Sequence, residues 1–268
     1  MIKKFNVYGE VTKQVVRFGN GSIVYTPKKW IGQTVTVILQ KEPLNVKEDV
    51  MKMLEPFLES VKGVFLFGSH ARKEQEKDSD VDVIVIADRK FNLGKKGRFD
   101  AIVLDEETLR KELKGKDPFY LYSALQEAEP ILNKELLEEL KKIKINKKNF
   151  KWLLEESTSA LKIAEEFLKM DKMQERKKLD SVSVIYTLML RMKRIFRVQC
   201  ILKNKKYSNK EFKLFLQKKG LGKEMAEKFY RIYRNERDEK KAGESVSVEE
   251  AEKLFGIVEM GIKEMKGN

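Results

Sequence analysis

Residues 63–87 hold two apolar runs joined by a polar break, and the residues at that break leave few folds open. Gly63-Val64-Phe65-Leu66-Phe67 ends on Gly68-Ser69, and after ten intervening residues Asp80-Val81-Asp82 opens Val83-Ile84-Val85-Ile86-Ala87. Short apolar runs bounded by turn residues predict buried strands. On a strand, side chains two apart share a face, so Asp80 and Asp82 point the same way with Cα atoms roughly 6.6 Å apart. Two carboxylates so placed repel unless a cation sits between them. Hard divalent ions such as Mg²⁺ or Mn²⁺ take oxygen ligands, and a pair of them clamps an in-line phosphoryl displacement. Gly68 lets backbone approach a phosphate closely, Ser69 offers a hydroxyl and an N–H, and Arg72 supplies a planar guanidinium that binds phosphate bidentately.

The elements around this break alternate between the two periodicities. Residues 47–61 place Val50, Met51, Leu54 and Phe57 on one helical face ahead of the first strand. A third strand is expected over residues 98–104, followed by helices near residues 106–113 and 133–143, closing a core near residue 146. From Phe150 the period is helical throughout, with Ser208-x-x-Glu211 and Ser247-x-x-Glu250 as capping boxes, and a bundle of about five helices is expected. The first 45 residues carry seven Lys or Arg against Glu10 and Glu42, and alternate with period two over residues 11–17, 22–26 and 34–39. Phe18-Gly19-Asn20-Gly21-Ser22 marks a hairpin turn, and Pro27 sits where a strand must stop.

The order strand, Gly-Ser, ten residues, Asp-x-Asp, strand in "FLFGSHARKEQEKDSDVDVIVIAD" resembles the signature of the polymerase-beta-type nucleotidyltransferases. It is most similar to the minimal and kanamycin-nucleotidyltransferase-like members. That resemblance implies that Gly68, Ser69 and Arg72 hold a nucleoside triphosphate, ATP first among the candidates, and that Asp80 and Asp82 hold Mg²⁺ or Mn²⁺. It implies a third carboxylate on a neighbouring strand that binds one metal and activates the acceptor hydroxyl, a place given to Asp100, although Asp88 and Asp105 also flank strands. The implied reaction moves a nucleoside monophosphate to a protein, RNA or small-molecule acceptor and releases pyrophosphate. This chain departs from the pattern in having Lys73 where the family often has Gly, and in the charged loop Glu74-Gln75-Glu76-Lys77-Asp78.

Two further resemblances flank the core. "VVRFGNGSIVYTPKKWIGQTVTVIL" resembles the AbrB-like swapped-hairpin modules, which implies dimerisation and DNA binding; Lys13, Arg17, Lys28 and Lys29 either contact phosphates or form a solvated basic edge. Residues 150–268, through Tyr230, Tyr233, Arg234 and Asn235, resemble the HEPN-type helical domains. Ribonucleases of that group need a histidine after the arginine, and the chain's one histidine is His70, which stands beside the Gly-Ser. The bundle is therefore read as binding the acceptor or as dimerising. Its stripe Ile185, Leu188, Met189, Met192, Ile195 and Phe196 is core or dimer surface, and Arg191, Lys193, Arg194 and Arg197 either line an anionic cleft or face solvent.

The fold class expected is α+β: a small β-hairpin module over residues 1–45, a nucleotidyltransferase α/β core with a mixed sheet over residues 46–146, and a helical bundle over residues 147–268. The net charge of +14 favours polyanionic partners, although Lys- and Glu-rich surfaces also arise as ion-pair networks. Cys200, the single cysteine, is expected to be a buried thiol, and no apolar stretch long enough for a signal peptide or membrane span is present, so a cytoplasmic location is expected, while the likeness of both flanking modules to dimer-forming families implies a homodimer. The competing reading is a DNA-binding regulator or antitoxin-like partner in which the nucleotidyltransferase domain only binds nucleotide.

Overall fold

The computed structural model describes residues 9, 11, 13, 15–37, 45–77, 79–93, 97–115, 117–240 and 243–267. The chain divides into two compact units, Met1–Leu44 and Asn45–Asn268.

In the first unit β1 (Val16–Phe18) pairs antiparallel with β2 (Gly21–Ile23), Val16 opposite Ile23 and Phe18 opposite Gly21. Gly19 adopts φ +55 in the turn between them, which the absence of a Cβ makes easy. The strands are shorter than the alternation predicts. Val11, Lys13 and Val15 are outside β1, and residues 34–37 form no strand; residues 38 and 39 of that expected strand lie outside the described residues. A period-two pattern becomes a strand only where another strand takes its backbone groups, and no described residue pairs with residues 34–37.

In the second unit α1 (Val46–Leu54) starts at Asn45, whose side chain accepts from Glu48 N–H. The helix expected through residue 61 stops short, because Pro56 lacks an amide hydrogen and converts the next turn, Glu55–Ser60, to 3-10 geometry. The sheet follows: β3 (Val61–Phe67), the single turn α2 (Gly68–Ala71), β4 (Val81–Ala87) and β5 (Phe99–Leu104). Next come α3 (Glu106–Lys114), α4 (Phe119–Glu127), β6 (Glu129–Leu132) and α5 (Lys134–Lys141). Strand order is β5-β4-β3-β6; β4 and β5 run parallel and the other two pairs antiparallel. The sheet is thus mixed, as the sequence leads one to expect. α4 and β6 escape that reading: β6 is only Glu129-Pro130-Ile131-Leu132, and a proline argues against a strand except at a sheet edge, where β6 lies.

Alternation along β4 divides the core. Ile84 and Ile86 pack with Phe65, Phe67 and the apolar residues of α3, α4 and α5 on one face. Val81, Val83 and Val85 pack with Val64, Leu66 and α1 on the other. Asp82 belongs to the first face by period, at the end where the apolar layer stops.

Five further helices complete the unit among the described residues: α6 (Lys151–Met173), α7 (Ser183–Leu202), α8 (Asn209–Lys218), α9 (Lys223–Arg237) and α10 (Val248–Gly267). Ser208 caps α8, accepting from Glu211 N–H, and Ser247 with Glu250 forms a reciprocal box at α10. α7 is the hub, touching α4, α6, α9 and α10. Its stripe Ile185, Leu188, Met189, Met192 and Ile195 is fully buried within one apolar cluster, with Phe196 packed against it, so the stripe is core. Cys200 is buried, and burial raises its thiol pKa. Among the described residues no helix is long and apolar enough to cross a membrane.

Phe65 is wholly buried at the centre of the sheet. Phe65→Ala is expected to cost about 3–5 kcal/mol of unfolding free energy, read from denaturant melts.

Candidate active site

β3, β4 and β5 bring four of the sequence's candidate residues to one end of the sheet. Phe67, the last residue of β3, lies opposite Asp82, and on the other side of β4 Asp82 lies opposite Asp100 in parallel register. Neighbouring strands are about 4.8 Å apart, so these two carboxylates stand side by side on one face. Asp80 precedes β4 and is exposed, Asp100 is exposed, and Asp82 is part-buried. Burial, then the charges of Asp100 and Asp80, push the Asp82 carboxyl up to about 6. Asp88 and Asp105, which also flank strands, are occupied elsewhere: Asp88 pairs with Lys62 at 2.5 Å, and Asp105 caps α3 by accepting from Thr108 N–H at 2.7 Å.

Gly68 closes the site from the side of β3. It adopts φ +74, and an added Cβ would overlap Oδ2 of Asp82. The turn therefore lies directly against the carboxylate, and glycine answers both the backbone conformation and the lack of space. Ser69 and His70 follow in α2, both part-exposed; His70 Nε2 is 3.5 Å from the Ser79 carbonyl. Tyr120 of α4 stacks edge-on against Phe67 with ring centroids 6.3 Å apart, and burial together with the charges of Asp82 and Asp100 raises its phenol pKa.

Arg72 is committed within the protein. Its Nη1 donates to Glu127 Oε1 at 2.6 Å and its Nε to Glu74 Oε2 at 2.9 Å, with only 11% of its side chain exposed. Burial opposes its charge, but Glu127 and Glu74 hold its pKa above the usual value. Glu127 Oε1 also accepts from Gly68 N–H at 3.1 Å, and Arg197 of α7 approaches Oε2 at 3.6 Å. Nothing in the sequence reading singled out Glu127. Its signal was an acid at the buried period of α4, one turn after Ser123 and Ala124.

The charged loop after Arg72 is a clasp onto the helices. Glu74 accepts from the backbone N–H of Asn209 at 2.7 Å and from its side chain at 2.8 Å, at the start of α8. Glu76 takes Arg234 bidentately at 2.5 and 2.6 Å. Of the four basic residues on α7, Arg191 and Arg194 both pair with Glu156. Arg197 and Lys193 lie 4.2 and 5.8 Å from the centroid of the Tyr207 ring, with Arg72 at 5.5 Å. Burial, then the charges of Arg197, Arg237 and Arg72, hold the Lys193 amine well below the usual lysine range. Lys13, Arg17, Lys28 and Lys29 are all exposed in the first unit.

Residues 48–149 match the family model described as polymerase beta, nucleotidyltransferase. That segment is similar to the polymerase beta nucleotidyltransferases. Three solved structures accompany it. Spectinomycin adenyltransferase AAD(9) from Enterococcus faecialis with ATP and spectinomycin is 14% identical over 82% of this chain and 97% of that one, with a TM-score of 0.40. A nucleotidyltransferase-like protein from Exiguobacterium sibiricum is 10% identical over 82% of this chain and 75% of that one, TM-score 0.37. A toxin-antitoxin with AMP-PNP is 20% identical over 36% of this chain and 80% of that one, TM-score 0.28. At these scores the likenesses do not bear on substrate or partner. No curated protein matches the chain.

Among the described residues no three His, Cys, Asp or Glu side chains are drawn together as closely as a bound metal would hold them. The donors nevertheless suit a hard divalent cation: Asp82 and Asp100 are paired in register, Asp80 is two residues away on the same period, and all three are carboxylates.

Gly68→Ala is expected to force the turn away from Asp82 and to cost at least about 1–3 kcal/mol through backbone strain alone. Denaturant melts compared with the unmodified chain measure it.

Proposed function

We propose that this domain transfers a nucleoside monophosphate from a nucleoside triphosphate to an acceptor nucleophile, releasing pyrophosphate. The observation that carries the reading is the register of Asp82 beside Asp100 with the Gly68 turn packed against Asp82. Asp80, Asp82 and Asp100 would hold Mg²⁺ or Mn²⁺. The rise of Asp82 to about 6 supports that reading, since part of it comes from two like charges that a cation would offset. Such an ion supplies charge neutralisation along the phosphates. Ser69, part-exposed at the start of α2, offers its hydroxyl to the triphosphate, with ATP the first candidate. Asp100, the more exposed of the paired carboxylates, would accept the proton of the incoming hydroxyl. The acceptor class stays with the three the sequence suggested: a protein side chain, an RNA 3′ end or a small molecule.

The test is label transfer and pyrophosphate release from each α-labelled nucleoside triphosphate, with Mg²⁺ or Mn²⁺, across protein, RNA and aminoglycoside acceptors. Asp80→Ala and Asp82→Ala are each expected to lower transfer by about a thousandfold, equivalent to several kcal/mol of lost charge stabilisation. A chelator is expected to abolish transfer, and added Mg²⁺ to restore it. Transfer that survives both carboxylate substitutions would sink the assignment.

A further inference from the structure

We infer that Glu127 is a positioning residue of this site, one that fixes the Gly68-Ser69 turn directly and, through Arg72, braces the loop that follows it. The inference rests on the nucleotidyltransferase reading above. Three donors from three parts of the unit converge on this carboxylate: Gly68 N–H at 3.1 Å, Arg72 Nη1 at 2.6 Å and, more distantly, Arg197 Nη2 at 3.6 Å. The Glu127 side chain is 5% exposed, so its charge is met by these groups rather than by water. Its position matters because a Cβ added to the same glycine would lie 2.0 Å from Asp82 Oδ2, so the turn that Glu127 holds is packed against that carboxylate. Ser69, the next residue, moves with Gly68.

Arg72 is fixed from both ends. Glu127 takes Nη1, and Nε goes to Glu74, whose other bonds reach Asn209 at the start of α8. Nη1 and Nε each hold a carboxylate, so one donor of each of the guanidinium's two forks is engaged, and 11% of the Arg72 side chain is exposed. Its work is then to brace the loop, and the phosphate contacts fall to the turn it braces. On this account the triphosphate is bound by a surface that Glu127 shapes without touching.

The measurement is binding of triphosphate analogues with an uncleavable α,β bridge, in Mg²⁺, to the full chain and to Glu127→Gln, with thermal unfolding followed in parallel. Glutamine keeps an oxygen for Gly68 N–H and loses the charge that holds Arg72. The expected result is weaker analogue binding by about tenfold or more, the size of one lost charge-assisted hydrogen bond. Turnover at saturating nucleotide should stay within about threefold, so that the change appears in KM. Unchanged affinity with a lowered unfolding midpoint would overturn the inference, because Glu127 would then serve stability alone. Tighter binding would also overturn it, since Glu127 would then be competing with phosphate for Gly68 and Arg72. If Glu127→Gln does not fold, the double variant Arg72→Gln/Glu127→Gln, which replaces the ion pair by neutral amides, carries the same expectation. Failure of the unmodified chain to bind any analogue would instead remove the nucleotide reading itself.

Discussion

A carboxylate removed from water has to be met by cations and donors, and Glu127 shows where this chain supplies them. One comes from the turn after β3, one from the loop that follows, and one from the central helix of the bundle. Because these partners belong to separate elements, the carboxylate orders them relative to one another as it is satisfied. Removing any one leaves buried charge only partly answered, which is costlier than the loss of an exposed pair. The bundle is thereby part of the structure of the turn, through Arg197 and again through the hold of Asn209 on Glu74. Arg234, one of the residues that suggested a HEPN-type helix, spends its guanidinium on Glu76 in the same clasp.

The sheet contributes the opposite kind of order. β3 and β4 are apolar along most of their length and buried on both faces, so their register is set by packing. Packing alone would not place two aspartates side by side. It does so here because Asp82 falls on the period that continues Ile84 and Ile86, at the point where the helical layer ends. Apolar residues thus hold a polar arrangement that would not hold itself, and burial, with the neighbouring carboxylates added to it, raises the pKa of Asp82.

The parts of this that could be read from the sequence are those where one residue's neighbours in the chain are also its neighbours in space. The β3 and β4 runs, the capping boxes at Ser208 and Ser247, the helical period after Phe150 and the placement of Gly68 ahead of Asp80 and Asp82 are of that kind. Asp100 could be proposed only through resemblance, because its partner Asp82 is eighteen residues away and only strand pairing shows that they meet. Glu127 and Glu74 were out of reach for the same reason: their bonds join residues separated by 59 and 135 positions. The charged loop looked like a departure from the family pattern, and what it does became visible only with α8 and α9 beside it. In the first unit the reverse error occurred. Alternation promised strands over residues 11–17 and 34–39, but among the described residues of that unit the pairing that turns alternation into a strand joins only Val16–Phe18 and Gly21–Ile23.

Pro130 has an effect beyond the brevity of its strand. β6 lies at one margin of the four-stranded sheet, where an unpaired row of backbone groups invites another chain to add on. A strand of four residues with an imide in place of one amide offers a poor template for such addition. The sheet of this unit is thereby terminated on that side by covalent chemistry. Replacing Pro130 with a strand-forming residue would restore a backbone amide donor to the strand at that margin.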